Sequence, residues 1–395
     1  MDSKILRSTS SPSRVQFPAS IPLKNGMLSP WCYAVAILMA ACSTHHARGF
    51  RVGLVTPGSV TDAAWNSGAY AGLQEIHDSL GVQISHIEAR SPAEQSEALR
   101  SYAAQGYALV FAHGFEFQDL AERVSASYPN TVFVVTSGRR ARLNVSPLIF
   151  RLEEASYLAG MVAAGVSKTG TLGFVGGIQL PPIEAAYQGW VNGAKSVNPK
   201  IRSRVVYLNS FDDVAAGREA ALALMGAGAD VFHHNADAAA LGLFQAVKTH
   251  PGVYVFGANT DQAGLAPGHV LGSAVIDLPR AFRLIANEVK QGNFTAHVEA
   301  FGLKSGVVKY VPDPRLDSVV SAPLRAQVTA AADSISSGTL LAAPRPASME
   351  AFSRHLAPKA FSRIGPWPKR SNSPGSPATS ISFFESKTSP TKSMR

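Results

Sequence analysis

The chain has 395 residues, of which 46% are hydrophobic and 16% charged, and these fractions exclude a wholly disordered protein. It contains two cysteines, too few for a scaffold held together by disulfides. The formal net charge of +9 would suit a nucleic-acid-binding protein, but residues 50–340 hold 22 basic and 24 acidic residues. The basic excess therefore lies at the two ends of the chain, and we expect no nucleic-acid partner.

The N-terminal segment 1–42 has the features of a bacterial secretion signal. The apolar run from Trp31 to Ala41 is too short to span a bilayer as a helix, and it suits the apolar region of a signal peptide. Cys42 follows small residues, as in a lipobox, so we predict lipid attachment there and a cell-envelope location facing the periplasm or the exterior. The alternative is a chance cysteine. Because residues 1–26 are long and polar for a signal, we expect that the start of the chain is over-extended.

Beyond this segment the chain alternates between strand and helix patterns. Segment 50–58 predicts a buried strand, and 62–80 predicts a helix with Asp62 placed to cap its start. Further strands are predicted over 82–89, 108–114, 131–138, 171–177, 204–211, 230–236 and 253–262. Further helices are predicted over 94–106, 117–129, 154–168, 183–199, 215–229 and 239–250. Such alternation indicates parallel sheets of doubly wound type.

The pattern divides into two lobes of about four strand–helix units each, with helix 154–168 crossing between them. We predict an α/β protein whose two doubly wound, parallel-sheet lobes are joined by a multi-strand hinge. The predicted lobes are 50–153 plus about 271–301 at the N-terminal side, and 154–270 plus about 302–340 at the C-terminal side. The basic, Pro- and Ser-rich tail 341–395 is predicted to be disordered, and we expect its deletion to leave ligand binding intact.

Ligands of open α/β sheets bind beyond the carboxyl ends of the strands, and those positions carry aromatic and polar residues here. Trp65 either packs between helix and sheet or serves as a plate for a flat ligand, with Phe211 as the opposing plate. Stacking of this kind contributes about 1–3 kcal/mol per ring. The predicted ligand-binding residues are Asp62, Trp65, Asn66, His113, Phe115, Thr136, Phe211, Asn235, Asp237, Asn259 and Asp261.

Several other site classes lack support in the sequence. Neither GxGxxG nor GxxxxGK[ST] occurs, and no GxSxG elbow marks a serine hydrolase. His233 and His234, with Asp237 nearby, suggest a metal site, but neighbouring strand residues point to opposite faces of a sheet. We therefore predict no catalytic residues, no metal and no cofactor, and a protein that is not an enzyme.

A series of stretches, in chain order, resembles one known family. They are GLVTPGSVTDAAWN (53–66), AHGFEF (112–117), YLAGMVAAGVSKTGTLGFVGG (157–177), VNPK (197–200), NSFDD (209–213), GADVFHHNADAAALG (228–242), VFGANTDQ (255–262) and PDPRL (312–316). They resemble the basic membrane lipoproteins, or purine-nucleoside-receptor-like proteins, which are substrate-binding lipoproteins of bacterial ABC importers. The resemblance implies a type I periplasmic-binding fold, a purine ligand, ABC permease partners, a membrane anchor through the N-terminal lipid, and a monomer.

The same resemblance implies roles for individual residues. Trp65 and Phe211 would sandwich a purine, Asn66 would hydrogen-bond its edge, and position 259 would face a ribose hydroxyl. The chain has Thr136, Asn259 and Ile276 where family members typically have Asp, Asp and Lys. These differences leave both a purine nucleoside and a free nucleobase open as ligands.

Two alternatives to a transport protein remain at this point. The first is a membrane-anchored ligand sensor of the same fold, although residues 1–49 carry an apolar run rather than a helix-turn-helix. The second is a periplasmic nucleoside-processing enzyme, which would need a base or metal at the cleft.

Overall fold

The computed structural model describes residues 49–343, which fold into two six-stranded sheets covered by helices. The prediction of two doubly wound α/β lobes is therefore confirmed. The lipid-attachment site predicted at Cys42, and the tail beyond residue 343, lie outside the described residues. Between residues 49 and 343, no helix has both the length and the apolar character needed to cross a bilayer.

The elements follow the predicted alternation closely. The strands are β1 Arg51–Thr56, β2 Gln83–Glu88, β3 Leu109–His113, β4 Val132–Thr136, β5 Val145–Phe150, β6 Thr171–Gly176, β7 Arg202–Tyr207, β8 Val231–Asn235, β9 Tyr254–Asn259, β10 Val270–Ile276, β11 Glu299–Phe301 and β12 Val308–Pro312. The helices are α1 Trp65–Leu80, α2 Pro92–Ala104, α3 Gln118–Ser125, α4 Leu152–Val166, α5 Pro181–Val197, α6 Val214–Gly226, α7 Ala240–Lys248, α8 Leu278–Lys290 and α9 Ala322–Ser337.

The strand order is β11-β5-β4-β3-β1-β2 in the first sheet and β12-β10-β9-β8-β6-β7 in the second. Each pair of neighbours is parallel except β10 and β12, which are antiparallel. The central strands are buried along their length, as expected for parallel strands with helices on both faces. This burial explains why their sequences are nearly continuous apolar runs.

The chain passes between the two lobes three times: at Arg151, at Asp277 and between Phe301 and Val308. The third passage is hydrogen-bonded to both of the others. The Arg151 N–H donates to the Phe301 carbonyl at 2.8 Å, and the Asp277 N–H donates to the Val307 carbonyl at 2.7 Å. Lys309 adds an ion pair with Asp277 at 2.8 Å. These bonds tie the three passages into one multi-strand hinge.

The structure differs from the sequence-based expectations in two places, the lobe that holds β10 and the end of β7. Strand β10, predicted within the first lobe, pairs with β9 in the second sheet. The chain returns to the first lobe only with α8, where Phe282 stacks on Phe111 at a centroid distance of 3.9 Å. In addition, β7 ends at Tyr207, so Phe211 lies in the following loop rather than at the end of a strand. A left-handed turn at Asn209 (φ 56°) leads the chain away from the sheet.

Helices α4 and α5 cross with almost no space between their backbones. A Cβ at Gly193 would lie 1.8 Å from the Tyr157 carbonyl oxygen, and one at Gly160 would lie 2.1 Å from that of Trp190. Only glycine fits at these two positions. The contact fixes α4, the first element after the first passage, firmly to the second lobe.

The described body extends slightly beyond the predicted boundary at residue 340. Ala342 is 4% exposed, and its carbonyl accepts a hydrogen bond from Asn192 Nδ2 at 3.0 Å. The C-terminal end of the second lobe therefore includes residues 341–343.

We expect that a chain ending at residue 340 melts about 2–4 °C below one ending at 344, because it loses this hydrogen bond and the buried alanine. The chain ending at 344 should melt like the full-length protein. Thermal denaturation of the three proteins checks this, and equal melting temperatures for the two truncated chains would contradict it.

Candidate functional site

A cavity of about 510 Å³ lies between the lobes, at the carboxyl ends of the strands of both sheets. This is the position that the strand-end rule predicts for a ligand site. Its volume is in the range typical of small-molecule sites. Seven of the predicted ligand-binding residues line it: Trp65, Asn66, Phe115, Phe211, Asn235, Asp237 and Asn259.

Trp65 is the first residue of α1 and forms an aromatic wall of the cavity. One face of its indole is covered by the His113 ring, with a centroid distance of 4.1 Å and an interplanar angle of 24°. Phe150 meets the indole edge-on at 5.9 Å. Since Trp65 is half-buried and lines the cavity, the face not covered by His113 is available for a flat ligand.

His113 and Thr136 lie behind this wall instead of lining the cavity, and both are completely buried. Burial lowers the pKa of His113 to about 3, so its imidazole is neutral. His113 Nε2 lies 3.0 Å from the Trp65 carbonyl oxygen and must donate to it, which leaves Nδ1 to accept from the Thr136 hydroxyl at 3.0 Å. In this structure the two residues lie behind the lining and support Trp65, and their contact with a ligand stays a prediction.

Phe211 lines the cavity from the second lobe, opposite the lobe that carries Trp65. Its ring lies directly against Gly177, where a Cβ would come within 2.3 Å of the ring carbons. Phe115 and Phe150 contribute further aromatic rings to the lining, and the Arg139 guanidinium lies 5.2 Å from the centroid of Phe115. Aromatic residues from both lobes thus line one cavity.

Asn235, Asp237 and Asn259 form the polar side of the cavity. Asn259 Nδ2 donates to Asp237 Oδ1 at 3.1 Å and lies 3.4 Å from Asn235 Oδ1. Burial raises the pKa of Asp237 well above its usual range, and the nearby negative charge of Asp62 adds to this effect. The protonated carboxyl, which is favoured by this shift, can donate a hydrogen bond as well as accept one.

Four residues of the lining have a left-handed backbone although none is glycine. They are Ser137 (φ 57°), Asn209 (φ 56°), Asp237 (φ 46°) and Asn259 (φ 67°). Asparagine and aspartate tolerate this region better than other residues, but it remains unfavourable. Such conformations concentrate at functional sites, where the surrounding structure imposes them.

The remaining two predicted residues, Asp62 and Asp261, also lie outside the lining. Asp62 is buried and accepts hydrogen bonds from backbone N–H groups at the start of α1, including that of Asn66 at 2.7 Å. The helix begins at Trp65 with Ala64 as its N-cap residue, so Asp62 is not itself the N-cap, but its carboxylate binds the N–H groups of this first turn. Asp261 is exposed and accepts from the Ala263 N–H and the Ser273 hydroxyl, so it stabilises a turn. Contact of either carboxylate with a ligand stays a prediction, since both lie outside the lining in this structure.

The two lobes contact each other across the cleft. The Ala63 carbonyl of the first lobe accepts from Thr260 Oγ1 at 3.1 Å and from Gln262 Nε2 at 3.2 Å. At the rim, Arg90 lies 3.6 Å from Asp212 of the second lobe. These contacts hold the lobes closed over the cavity.

His233 and His234 point to opposite sides of the second sheet. His233 Nε2 is 3.1 Å from Ser156 Oγ, whereas His234 Nε2 is 2.9 Å from Gln262 Oε1. Burial lowers the pKa of His233 to about 3 and that of His234 to about 4. Within residues 49–343, no group of three or more His, Cys, Asp or Glu side chains is arranged to hold a metal ion.

Sequence reasoning missed several residues that line the cavity. They include Arg90, Gln95, Glu116, Phe150, Leu152, Ile178 and Ile183. Arg90 follows β2, and Leu152 follows β5, so the strand-end rule applied to those two strands would have found them. Ile183, in the first turn of α5, does not follow a strand directly, so the strand-end rule would not have found it.

Comparison with known proteins agrees with this fold and cavity. Residues 50–339 match the family model described as "ABC transporter substrate-binding protein PnrA-like". The ABC transporter nucleoside-binding protein BmpA of Lactococcus lactis is 31% identical over 319 residues, which cover 73% of this chain and 90% of the relative. Purine-binding protein BAB2_0673 of Brucella abortus is 28% identical over 281 residues, covering 70% of this chain and 79% of the relative.

A solved structure supports the fold independently. The ABC transporter solute-binding protein of Aeropyrum pernix K1 superposes with a TM-score of 0.70 at 21% identity, covering 78% of this chain and 97% of that protein. The family match extends over most of the chain and includes both lobes and the cavity between them. The chain therefore belongs to the PnrA-like family of ABC transporter substrate-binding proteins.

Proposed function

We propose that the protein captures a purine, as nucleoside or nucleobase, between its lobes and delivers it to an ABC importer. The observation that carries this proposal is that Trp65 and Phe211, from opposite lobes, line the same cavity. An aromatic residue on each side suits a flat heterocycle. The carboxamides of Asn66, Asn235 and Asn259 in the same lining suit the polar edges of such a ring.

The charges of the cavity favour an uncharged ligand. Arg90 is the basic residue of the lining, and it is paired with Glu88 at 2.8 Å and Asp212 at 3.6 Å. A phosphorylated ligand would need a phosphate loop or a cation free of other partners, and the Arg90 guanidinium is already paired. A neutral base or nucleoside meets neither difficulty.

Two features of the lining bear on the choice between nucleoside and free base. Ile276 places an apolar, 5% exposed side chain in the lining, and the Asn259 amide already donates to Asp237. Position 276 therefore offers no hydrogen bond to a ribose hydroxyl, and Asn259 has its amino group engaged. Relatives named as nucleoside-binding and as purine-binding support the purine class for both forms of ligand.

We further propose that Cys42 carries lipid and anchors the protein at the cell envelope, with ABC permease subunits as partners. The lipobox-like sequence before Cys42 and the family membership support this. The closed lobes would present a docking surface that the open form lacks, so the permease would distinguish loaded protein from empty protein. In this role the protein acts by binding and not by catalysis.

We expect mass spectrometry of small molecules released from the denatured, purified protein to detect a purine base or nucleoside. Binding proteins that close over their ligand release it slowly, so the ligand survives purification. Refolded protein, dialysed in denaturant, is the matched control and should release none. Recovery of a sugar or an amino acid in place of a purine would contradict the proposal.

We expect Trp65→Ala and Phe211→Ala each to weaken binding of the recovered purine by about tenfold or more, because each removes one stacking ring. Trp65→Phe should keep most of the affinity. Tyr70→Ala removes an exposed aromatic side chain from the same helix as Trp65 and should bind normally. Titration calorimetry measures all four variants. Normal binding by both alanine variants at Trp65 and Phe211 would rule out the aromatic sandwich.

We expect Asp237→Asn to raise the melting temperature of ligand-free protein at pH 8 but not at pH 4. Because burial raises the pKa of Asp237, the folded state holds its proton more tightly than the unfolded state, and this carboxyl lowers stability as pH rises. Asparagine does not ionise, so it avoids this loss of stability. We expect the melting temperature to rise by about 2–4 °C, which corresponds to about 1 kcal/mol. The exposed Asp78→Asn is the control and should show no pH-dependent gain. An equal gain at both pH values would contradict the proposed cause.

A further inference from the structure

The carboxamide of Asn66 has its NH₂ group hydrogen-bonded and its oxygen without a hydrogen-bond partner among residues 49–343. It is 7% exposed and lines the cavity. Its Nδ2 donates to Asp62 Oδ2 at 2.9 Å, and its Oδ1, although buried, has no hydrogen-bond partner among residues 49–343. Buried acceptors are normally paired, so this oxygen marks a place where a partner is missing.

Asp62 determines which half is free. Besides the Asn66 side chain, its carboxylate accepts from three backbone N–H groups: Ala64 at 3.0 Å, Asn66 at 2.7 Å and Ser67 at 2.9 Å. These bonds fix both carboxylate oxygens at the start of α1. A carboxylate can only accept, so the Asn66 amide must turn its NH₂ group toward Asp62 and its oxygen away. The orientation of the amide therefore follows from chemistry as well as from its placement.

We propose that Asp62 is a positioning residue for ligand selection: it locks the Asn66 carboxamide so that Oδ1 accepts an N–H from the ligand. This inference rests on the proposed function, namely that the cavity takes a purine. The preferred ligand then carries an N–H donor at the edge that faces Asn66. A ligand with an acceptor at that point would place it against Asn66 Oδ1, which is also an acceptor, and Oδ1 would stay unpaired.

Adenine and hypoxanthine are suitable probes because they exchange donor and acceptor along one edge. Adenine has an NH₂ donor at C6 and an acceptor at N1, whereas hypoxanthine has an acceptor at C6 and an N–H donor at N1. A locked acceptor distinguishes the two. In Asp62→Asn, the new carboxamide can donate, so Asn66 can rotate and present its NH₂ group to the ligand instead.

The experiment is titration calorimetry of both bases against ligand-free wild type, Asp62→Asn, Asn66→Ala and Asp213→Asn. We expect the two dissociation constants to differ by about tenfold or more in wild type, the effect of one buried unpaired acceptor. The ratio should fall to within about threefold of one, or reverse, in Asp62→Asn, and it should also collapse in Asn66→Ala. Asp213 caps α6 outside the cavity lining, so Asp213→Asn should keep the wild-type ratio.

The outcomes separate this inference from the function on which it rests. A wild-type ratio near one, or an unchanged ratio in Asp62→Asn, would overturn the inference while purine binding stands. Failure of wild type to bind either base, or adenosine and inosine measured in parallel, would overturn the proposed function itself. If Asp62→Asn does not fold, as judged by thermal denaturation, Asn66→Ala decides whether the Asn66 side chain sets the ratio. It keeps the backbone N–H bonds to Asp62 and removes Oδ1 together with the Nδ2 bond to Asp62.

Discussion

The three passages of the chain between the lobes are the constraint on which the rest of the structure depends. The passages hold the two sheets so that the carboxyl ends of their parallel strands meet across one cleft. Hydrogen bonds from Arg151 and Asp277 to the third passage keep these segments together. Glu154 joins them, since its carboxylate accepts from the Leu303 N–H at 2.7 Å. The cavity is therefore a consequence of connectivity, and its chemistry is set by whichever residues follow the strands.

The lining combines aromatic rings with residues that have unfavourable backbone conformations and with buried polar side chains. Asp237 and Asn259 have left-handed backbones and share a buried hydrogen bond, while the carboxyl of Asp237 resists ionisation because it is removed from water. Such a site lowers the stability of the empty protein and gains most when a ligand supplies the missing partners. That balance suits a protein whose closed form should depend on its ligand, and the hydrogen bonds from Thr260 and Gln262 to the Ala63 carbonyl are a polar part of the contact between the lobes.

The sequence predicts both sheets well because parallel strands buried on two faces are continuous apolar runs. Strand β5 was missed since Pro147 interrupts its run, and β11 has three residues that become a strand only through pairing with β5. Trp65 and Asn66 could be placed because they follow the first strand closely. The direction in which the His113 side chain points could not be predicted, because it depends on the strand register that places His113 beside Thr136. Strand-end position thus predicts proximity to the site, but not which side chains face it.

The residues that lie behind the lining have a common physical role. His113 carries no charge and can donate only through the nitrogen that faces the Trp65 carbonyl, so its ring supports the indole in one orientation. Asp62, which can only accept, acts in the same way on Asn66. In the first case the Trp65 carbonyl, which can only accept, fixes which nitrogen of His113 carries the proton. In the second case the Asp62 carboxylate fixes which end of the Asn66 amide faces it. Residues behind the lining can therefore influence selectivity, and on our proposal it changes through substitutions that leave the lining intact.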